Sequence, residues 1–168
     1  MSASLPLEQG HHAAVVQAVA AALLKQGEWL AVAESCTGGM IAAACTDLAG
    51  SSAWFERGLT TYSNRAKQEL LGVPETVLSS QGAVSEACVR AMAEGLLARA
   101  PVQHTVAVSG IAGPGGGTVD KPIGTVWIAW CGHPGSQAKR YVFEGDRLRV
   151  REQAVHAALQ GLLERIGT

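Results

Sequence analysis

The 168-residue sequence is poor in several features that would point at once to a class of function. Its cysteines form no Cys-x-x-Cys pair, which argues against a zinc site and against a disulfide framework; they are Cys36, Cys45, Cys88 and Cys131. Charge is sparse and balanced, with 13 Lys+Arg against 14 Asp+Glu, so the basic excess of a dedicated nucleic-acid binder is missing. No apolar run reaches the ~18 residues that cross a membrane. We therefore expect a reduced, cytoplasmic protein that binds neither nucleic acid nor membrane.

Histidine spacing gives no sign of metal chemistry. The five histidines show no ligand spacing with one another or with the cysteines. A Gly-x-Ser-x-Gly segment is also lacking, so a serine–histidine–aspartate triad has no local support. The sequence therefore predicts no metal and no other cofactor.

Hydrophobic residues make up 48% of the sequence, enough for the core of one domain spanning residues 1–168. Apolar spacing predicts helices at 12–26, 40–48, 65–71 (capped by Asn64), from Ser85 onward, and at 147–166. Strands are predicted at 29–33, 54–63, 105–109, 124–131 and 137–143, and a short joint at 132–135 makes the last two a hairpin. This alternation predicts a three-layer α/β/α sandwich with a mixed, mostly parallel sheet.

The segment Glu34-Ser-Cys-Thr-Gly-Gly39 lies between a predicted strand and a predicted helix. Ligands of open α/β sheets collect at such strand ends, and a helix N-terminus offers free N–H groups to an oxyanion. Ser35 is therefore a candidate nucleophile with Thr37 as a polar neighbour, while Gly38 and Gly39 permit close approach of a ligand. The alternative is a plain helix start with Thr37 as N-cap.

Two further questions concern the nucleophile and its base. Cys36 is a rival nucleophile because a helix N-terminus lowers a thiol pKa, although strand alternation turns it away from the face of Ser35. Lys67 could activate Ser35 if it is partly desolvated, with Tyr62 nearby at a strand end. The alternative is an exposed helix lysine and a half-buried tyrosine.

A glycine-rich loop, Gly110-Ile-Ala-Gly-Pro-Gly-Gly-Gly117, follows a predicted strand. No helix is predicted after it, so it is neither a dinucleotide-binding motif nor a P-loop, since both motifs require that helix. Five glycines in eight residues favour a loop that faces a ligand over one that is simply mobile. Three arginines, Arg147, Arg149 and Arg151, oppose the dipole of the last helix unless a phosphate binds there. Arg147 and Arg151 share a helix face and Arg149 does not; solvated charge is the alternative.

Taken together, these segments resemble the CinA C-terminal domain family of nicotinamide-nucleotide amidohydrolases. The resemblance spans almost the whole chain. Its segments are Ala33-Glu-Ser-Cys-Thr-Gly-Gly39, Gly50-Ser-Ser52, Tyr62-Ser-Asn64 with Lys67, Leu71-Gly-Val-Pro74, Gly82-Ala-Val-Ser-Glu86, the 110–117 loop, Lys121-Pro-Ile-Gly-Thr-Val-Trp127 and Gly145-Asp-Arg147.

The resemblance implies hydrolysis of nicotinamide mononucleotide to nicotinic acid mononucleotide and ammonia, in pyridine-nucleotide salvage. Carried over, Ser35 is the nucleophile, Lys67 its base and Tyr62 a supporting proton-transfer group, while Thr37 and the N–H groups near Gly38 hold the oxyanion. It also implies a homodimer or higher homo-oligomer. Residues expected to contact substrate are Glu34, Thr37, Gly38, Gly39, Ser109, Gly110, Gly113, Gly115, Gly116, Arg147, Arg149 and Arg151.

Two departures from the family pattern stand out. Ser109 occupies a position where many members have Thr, and a hydroxyl is kept. The N-terminal molybdopterin-binding-like domain of many members has no counterpart, so a stand-alone form is expected. The rival reading is a non-catalytic nucleotide-binding or regulatory module linked to competence or DNA damage, and a second is an amidase for free nicotinamide. Trp54 and Phe55 could pack at a subunit interface, although such residues more often belong to the core.

Overall fold

A computed structural model describes residues 10–133 and 135–166 of the chain. The helices are α1 (Ala13–Gln26), α2 (Met40–Thr46), α3 (Asn64–Leu71), α4 (Glu75–Gln81), α5 (Glu86–Leu97) and α6 (Arg147–Ile166). The strands are β1 (Leu30–Glu34), β2 (Phe55–Thr60), β3 (His104–Gly110), β4 (Thr125–Cys131) and β5 (Gln137–Val142). A 3-10 turn at Ser51–Ala53 precedes β2. Within this described part, no helix is long and apolar enough to cross a membrane.

The strands form one sheet in the order β2-β1-β3-β4-β5. Strand β1 pairs in parallel with β2 and β3, whereas β4 pairs antiparallel with β3 and β5. Four strands therefore run in one direction and β4 alone runs against them, which confirms the predicted mixed, mostly parallel sheet. The carboxyl ends of β1, β2, β3 and β5 consequently lie at one edge of the sheet, here called the carboxyl edge.

Helices cover both faces of the sheet, as the three-layer prediction requires. Strand alternation sends Val32, Val106 and Ile128 into the core beneath α1, α2 and α6. The opposite face of the central strands carries alanines, including Ala33 and Ala107, and packs against α3, α4 and α5. Small side chains on that face let α5 lie close to the sheet.

Close packing also joins α5 to α3. A Cβ placed on Gly95 of α5 would stand 1.9 Å from the carbonyl oxygen of Leu71, at the end of α3. Only a glycine permits two backbones to approach this closely. This contact fixes the position of α3.

The structure differs from the sequence prediction at two places. The N-cap of α3 is Ser63, whose Oγ accepts from the Ala66 N–H at 3.0 Å, and not Asn64. Helix α4 was not predicted, because Pro74 reads as the end of a helix whereas it is the N-cap of the next. Of the two alternatives for Trp54, an interface residue or a core residue, the structure supports the core, since the side chain is only 1% exposed. The N-cap role of Ser85 and the bounds of α6 are confirmed; Pro134 of the predicted hairpin joint lies outside the described residues.

Candidate active site

Ser35 follows the last residue of β1 at the carboxyl edge of the sheet. Its N–H donates to the carbonyl of Val108 at 3.0 Å, so the neighbouring strand β3 fixes its backbone. The chain then turns, and the Gly38 N–H donates back to the Ser35 carbonyl at 3.0 Å. Gly38 and Gly39 have φ angles of 59° and 103°, the left-handed region that favours glycine. A tight glycine turn thus holds Ser35 at the start of α2.

Lys67 reaches Ser35 from the first turn of α3. Its Nζ lies 3.0 Å from Ser35 Oγ and donates to the carbonyls of Thr61 and Tyr62 at 2.7 and 3.2 Å. The side chain is 1% exposed, and this burial lowers the pKa of Lys67 from its usual 10.5. No ion pair to Lys67 occurs within residues 10–133 and 135–166. The burial therefore favours the neutral amine.

The contacts of Lys67 suit a neutral amine that acts as a base. A neutral amine has two N–H donors and one lone pair. The carbonyls of Thr61 and Tyr62 can only accept, so they take the two N–H groups. The remaining neighbour is the hydroxyl of Ser35, which can donate to the lone pair. The arrangement can therefore draw a proton from Ser35, which is what a serine nucleophile requires.

Glu34 supports the turn from below. Its Oε1 accepts from Thr37 Oγ1 at 2.7 Å and from the Ile41 N–H at 2.8 Å, and its Oε2 accepts from the Ala42 N–H at 3.1 Å. The N-cap of α2 is Gly39, and the Thr37 side chain bonds Glu34 instead of capping the helix, so the plain N-cap interpretation of Thr37 is wrong. Glu34 is 1% exposed, and its carboxylate is engaged with this turn.

The rival nucleophile Cys36 is poorly suited to the task. Its side chain is buried, and burial raises the pKa of the thiol to about 11. A cysteine attacks as the thiolate, which is scarce at neutral pH when the pKa is this high. This burial agrees with the prediction that Cys36 points away from the face of Ser35.

A second group of predicted residues meets above the carboxyl edge. Arg147, the first residue of α6, donates from Nη1 to the carbonyl of Gly113 at 2.8 Å and from Nη2 to the hydroxyl of Tyr62 at 3.1 Å. The Tyr62 residue is 59% exposed, yet its backbone carbonyl contacts Lys67. Arg147 thus links the glycine loop to the segment that carries Lys67.

The other two arginines take different places. Arg151 donates from Nε to the Cys36 carbonyl at 2.9 Å and from Nη2 to the Thr37 carbonyl at 3.2 Å, so it lies against the turn after Ser35. Arg149 is exposed, and its partners are Glu152 and, through its backbone N–H, the capping carboxylate of Asp146. The structure thus brings Arg147 and Arg151, but not Arg149, to the predicted site residues.

The glycine loop is divided between buried and exposed parts. Ser109 is 1% exposed at the end of β3, and Gly110 lies so close to β4 that a Cβ would stand 2.9 Å from the Thr125 carbonyl oxygen. Gly113 is buried beneath Arg147, whereas Gly115 and Gly116 are exposed. The loop therefore places the Gly113 carbonyl near the site and leaves Gly115 and Gly116 exposed to solvent.

Three contacts of the site were missed at the level of sequence. They are the bonds of Glu34 to the start of α2, the carbonyl of Thr61 on Lys67, and the bonds of Arg151 to the turn after Ser35. Only the first has a local signal, an acidic residue directly before a glycine turn and a helix. Among the described residues, no group of three His, Cys, Asp or Glu side chains is placed to hold a metal ion.

Comparison with known proteins adds independent information. A model of the CinA C-terminal domain matches residues 12–166. The nicotinamide-nucleotide amidohydrolase PncC of Enterobacter agglomerans is 54% identical over 146 residues, covering 86% of this chain and 89% of that protein. A CinA-like protein of Akkermansia muciniphila is 51% identical over 153 residues, covering 90% of this chain but only 37% of that protein. The crystal structure of the competence damage-inducible protein A from Klebsiella pneumoniae has a TM-score of 0.88 at 43% identity, covering 92% of this chain and 96% of that chain.

Proposed function

The chain belongs to the CinA C-terminal domain family, and on that premise we propose that it is a nicotinamide-nucleotide amidohydrolase. The reaction converts nicotinamide mononucleotide and water to nicotinic acid mononucleotide and ammonia, in pyridine-nucleotide salvage. The observation that carries the proposal is the buried contact of Lys67 Nζ with Ser35 Oγ at 3.0 Å. The relatives named nicotinamide-nucleotide amidohydrolase supply the substrate class.

In the first step, Ser35 Oγ attacks the carboxamide carbon of the substrate. The neutral amine of Lys67 takes the hydroxyl proton as the new C–O bond forms, and the carbonyl oxygen becomes an oxyanion. A positioned base of this kind contributes about 10²–10⁴-fold to the rate. The carbonyls of Thr61 and Tyr62 orient the amine and stabilise the charge that Lys67 acquires.

Backbone N–H groups beside Ser35 are suited to hold the oxyanion. Within the described chain, the N–H groups of Thr37 and Gly39 have no hydrogen-bond partner, while that of Gly38 is already engaged by the Ser35 carbonyl. Thr37 is fully buried, and an unpaired buried N–H costs about 1–3 kcal/mol. A ligand oxygen would satisfy it. Among the groups near Gly38, the oxyanion donors that we propose are thus the N–H groups of Thr37 and Gly39.

The intermediate then collapses and is hydrolysed. Protonated Lys67 gives its proton to the departing nitrogen, ammonia leaves, and the acyl group remains on Ser35 as an ester. Lys67, neutral again, takes a proton from water as the water oxygen attacks the ester. Protonated Lys67 returns this proton to the Ser35 oxygen as the acid product departs. The steps together consume one water and release one ammonia, and no further reactant is needed.

Arg147 is the residue that we propose for the substrate phosphate. It is the arginine that reaches the glycine loop, and a guanidinium matches two phosphate oxygens. A phosphate on Arg147 would compete with the hydroxyl of Tyr62, its present partner at 3.1 Å. Tyr62 would then be free to support proton transfer near Lys67, the role that we propose for it.

The test is an assay of purified protein with nicotinamide mononucleotide, nicotinamide and NAD in parallel, following ammonia and the acid product. Turnover of the mononucleotide is expected, and Ser35→Ala and Lys67→Ala should lose it. Ser35→Ala should keep the wild-type melting temperature within a few degrees. Ser63→Ala, which removes only the cap of α3, is the matched control that keeps Lys67.

Binding of the mononucleotide without turnover of any amide would reject the enzyme and favour a regulatory nucleotide-binding module. Turnover of free nicotinamide alone would indicate a general amidase. Activity that survives Ser35→Ala would exclude the acyl-enzyme and favour direct attack by water. Light scattering on the same preparation tests the expected homodimer or higher homo-oligomer.

A further inference from the structure

Arg151 and Glu34 hold Thr37 from two sides. The Thr37 carbonyl accepts from Arg151 Nη2 at 3.2 Å, and the Thr37 hydroxyl donates to Glu34 Oε1 at 2.7 Å. The preceding carbonyl, of Cys36, accepts from Arg151 Nε at 2.9 Å. Two polar groups of Thr37 are thereby fixed by charged side chains, and the third, its N–H, lacks a partner within the described chain.

The direction of the free N–H follows from peptide geometry. In a trans peptide, the C=O of one residue and the N–H of the next point in opposite directions. Because Arg151 binds the Cys36 carbonyl, the Thr37 N–H points away from Arg151. The peptide between Thr37 and Gly38 has the same orientation. Its carbonyl accepts from Arg151, and its Gly38 N–H donates to the Ser35 carbonyl at 3.0 Å. The Thr37 N–H therefore lies on the side of the turn where the Gly38 N–H meets the Ser35 carbonyl.

Arg151 is also too close to this turn to move freely. A Cβ on Gly38 would lie 3.4 Å from Arg151 Nη2, so the guanidinium packs on the turn itself. A guanidinium can donate to two adjacent carbonyls through its fixed fork, whereas an ammonium is a point donor. Cys36 and Arg151 are 115 positions apart in the sequence, so this is a tertiary contact that ties α6 to the turn after Ser35.

We propose that Arg151 is a positioning residue that aims the Thr37 N–H at the developing oxyanion, and that it does not bind the substrate phosphate. The inference rests on the proposed amide hydrolysis for its catalytic part. In this arrangement Arg151 contributes to kcat through the backbone, while Arg147 contributes to substrate affinity.

The kinetic test compares Arg151→Gln and Arg151→Lys with wild type on nicotinamide mononucleotide. Removing one oxyanion donor lowers kcat by about 10²–10³-fold, so Arg151→Gln is expected to lower kcat by about 100-fold with KM within about threefold. Arg151→Lys should recover part of the rate, because an ammonium can donate to one of the two carbonyls. Arg90→Gln is the matched control. Arg90 is a half-buried arginine of α5, and it donates from Nη1 to the carbonyl of Ser136 at 3.0 Å.

A second measurement separates positioning from general loosening of the fold. The thiocarboxamide analogue of nicotinamide mononucleotide places sulfur where the donors expect oxygen. Loss of an aligned donor should reduce the wild-type preference for oxygen over sulfur by about tenfold or more in Arg151→Gln. Arg90→Gln should keep the wild-type preference. A merely structural role would lower both rates equally.

The third measurement needs no substrate. Amide hydrogen exchange of Gly38, whose N–H donates to the Ser35 carbonyl, should be about tenfold faster or more in Arg151→Gln and unchanged in Arg90→Gln. A raised KM with unchanged kcat would overturn the proposal and assign Arg151 to the phosphate. Unchanged Gly38 exchange would also overturn it. If wild type hydrolyses no amide, the proposed function fails, and the exchange result still decides whether Arg151 orders the turn.

Discussion

The side-chain nitrogen of Lys67 lies 3.0 Å from the hydroxyl oxygen of Ser35, although the two residues are 32 positions apart in the sequence. Ser35 follows β1 and Lys67 lies in the helix after β2, and these two strands pair in parallel. Parallel pairing brings their carboxyl ends together, so the residues that follow each strand meet. The other two groups that contact Lys67 Nζ are the backbone carbonyls of Thr61 and Tyr62, which can only accept hydrogen bonds. Of these three partners, only the hydroxyl of Ser35 can donate to the amine.

The rate should depend on the protonation of Lys67. Burial lowers its pKa below 10.5, so the active neutral form increases as pH rises through that lowered pKa. We expect kcat/KM to rise with pH along an acid limb whose midpoint lies below 10.5. Lys67→Ala should lower the rate by about 10²–10⁴-fold and remove the limb. A wild-type profile without this limb would contradict Lys67 as the base.

The stability of the fold should carry the same signature. A lysine whose folded pKa is lowered binds its proton less readily in the folded state than in the unfolded state. The unfolded chain thus holds more protons between the two pKa values, and stability rises with pH across that window. Denaturant unfolding of wild type should show this rise up to about pH 10.5, the usual value. Lys67→Met should flatten this rise, whereas Lys25→Met, at an exposed position of α1, should keep it.

Glu34→Gln should weaken the turn that follows Ser35. The carboxylate accepts three hydrogen bonds, and an amide presents an NH₂ group to one of these donors instead. An unsatisfied buried donor costs about 1–3 kcal/mol, so the free energy of unfolding should fall by about 2 kcal/mol. Chemical denaturation measures this change. Glu164→Gln, at an exposed position of α6, should change it by less than about 0.5 kcal/mol.

Arg147→Gln should act on the phosphate and not on the chemistry. We expect KM for nicotinamide mononucleotide to rise by about tenfold or more, with kcat changed much less, because a charge-assisted bond of about 1.5–3 kcal/mol is lost. The corresponding nucleoside, which lacks the phosphate, should be turned over by wild type and variant with the same KM. An equal effect on both compounds would place Arg147 elsewhere in the reaction.

Gly95→Ala should separate α5 from α3. The new methyl group would stand 1.9 Å from the Leu71 carbonyl oxygen, so one helix must move. Overpacking of this kind costs about 1–3 kcal/mol, and the shift of α3 should also lower activity through Lys67. Thermal unfolding and the deamidation rate measure the two effects. Gly115→Ala, where a Cβ meets nothing within 4 Å, is the stability control.

The elements of the fold were largely predictable because their hydrophobic patterns are regular. The valines and leucines of α1 recur at helical spacing, and the strands at 29–33 and 105–109 are short apolar runs. Helix α4 escaped because it is seven residues long with Leu78 as its one buried side chain. The cap of α3 was assigned one residue late because Ser63 and Asn64 are both good N-cap residues. Local chemistry could not separate them.

The sequence indicated only part of the site. Ser35 was a candidate nucleophile because it follows a strand, but spacing alone could not show that Lys67 meets it, and the pair was assigned through the family resemblance. The three arginines were candidates together, so the one that reaches the glycine loop was not singled out. The contacts of Glu34 and Arg151 were not predicted, because each depends on backbone groups that the side chain meets only after folding. A guanidinium that binds carbonyls and one that awaits a phosphate look identical in a sequence.

Helix α6 carries both arginines of the site, one turn apart: Arg147 holds the Gly113 carbonyl and Arg151 holds the carbonyls of Cys36 and Thr37. It packs on α1, on α2 and on the face of strands β3 and β4, outside the sheet itself. Local opening of such a unit costs less free energy than global unfolding. Detachment of α6 would therefore free the Gly113 carbonyl and the turn after Ser35 in one event while the strands stay paired. If the proposed function holds, activity should be lost whenever the last helix detaches.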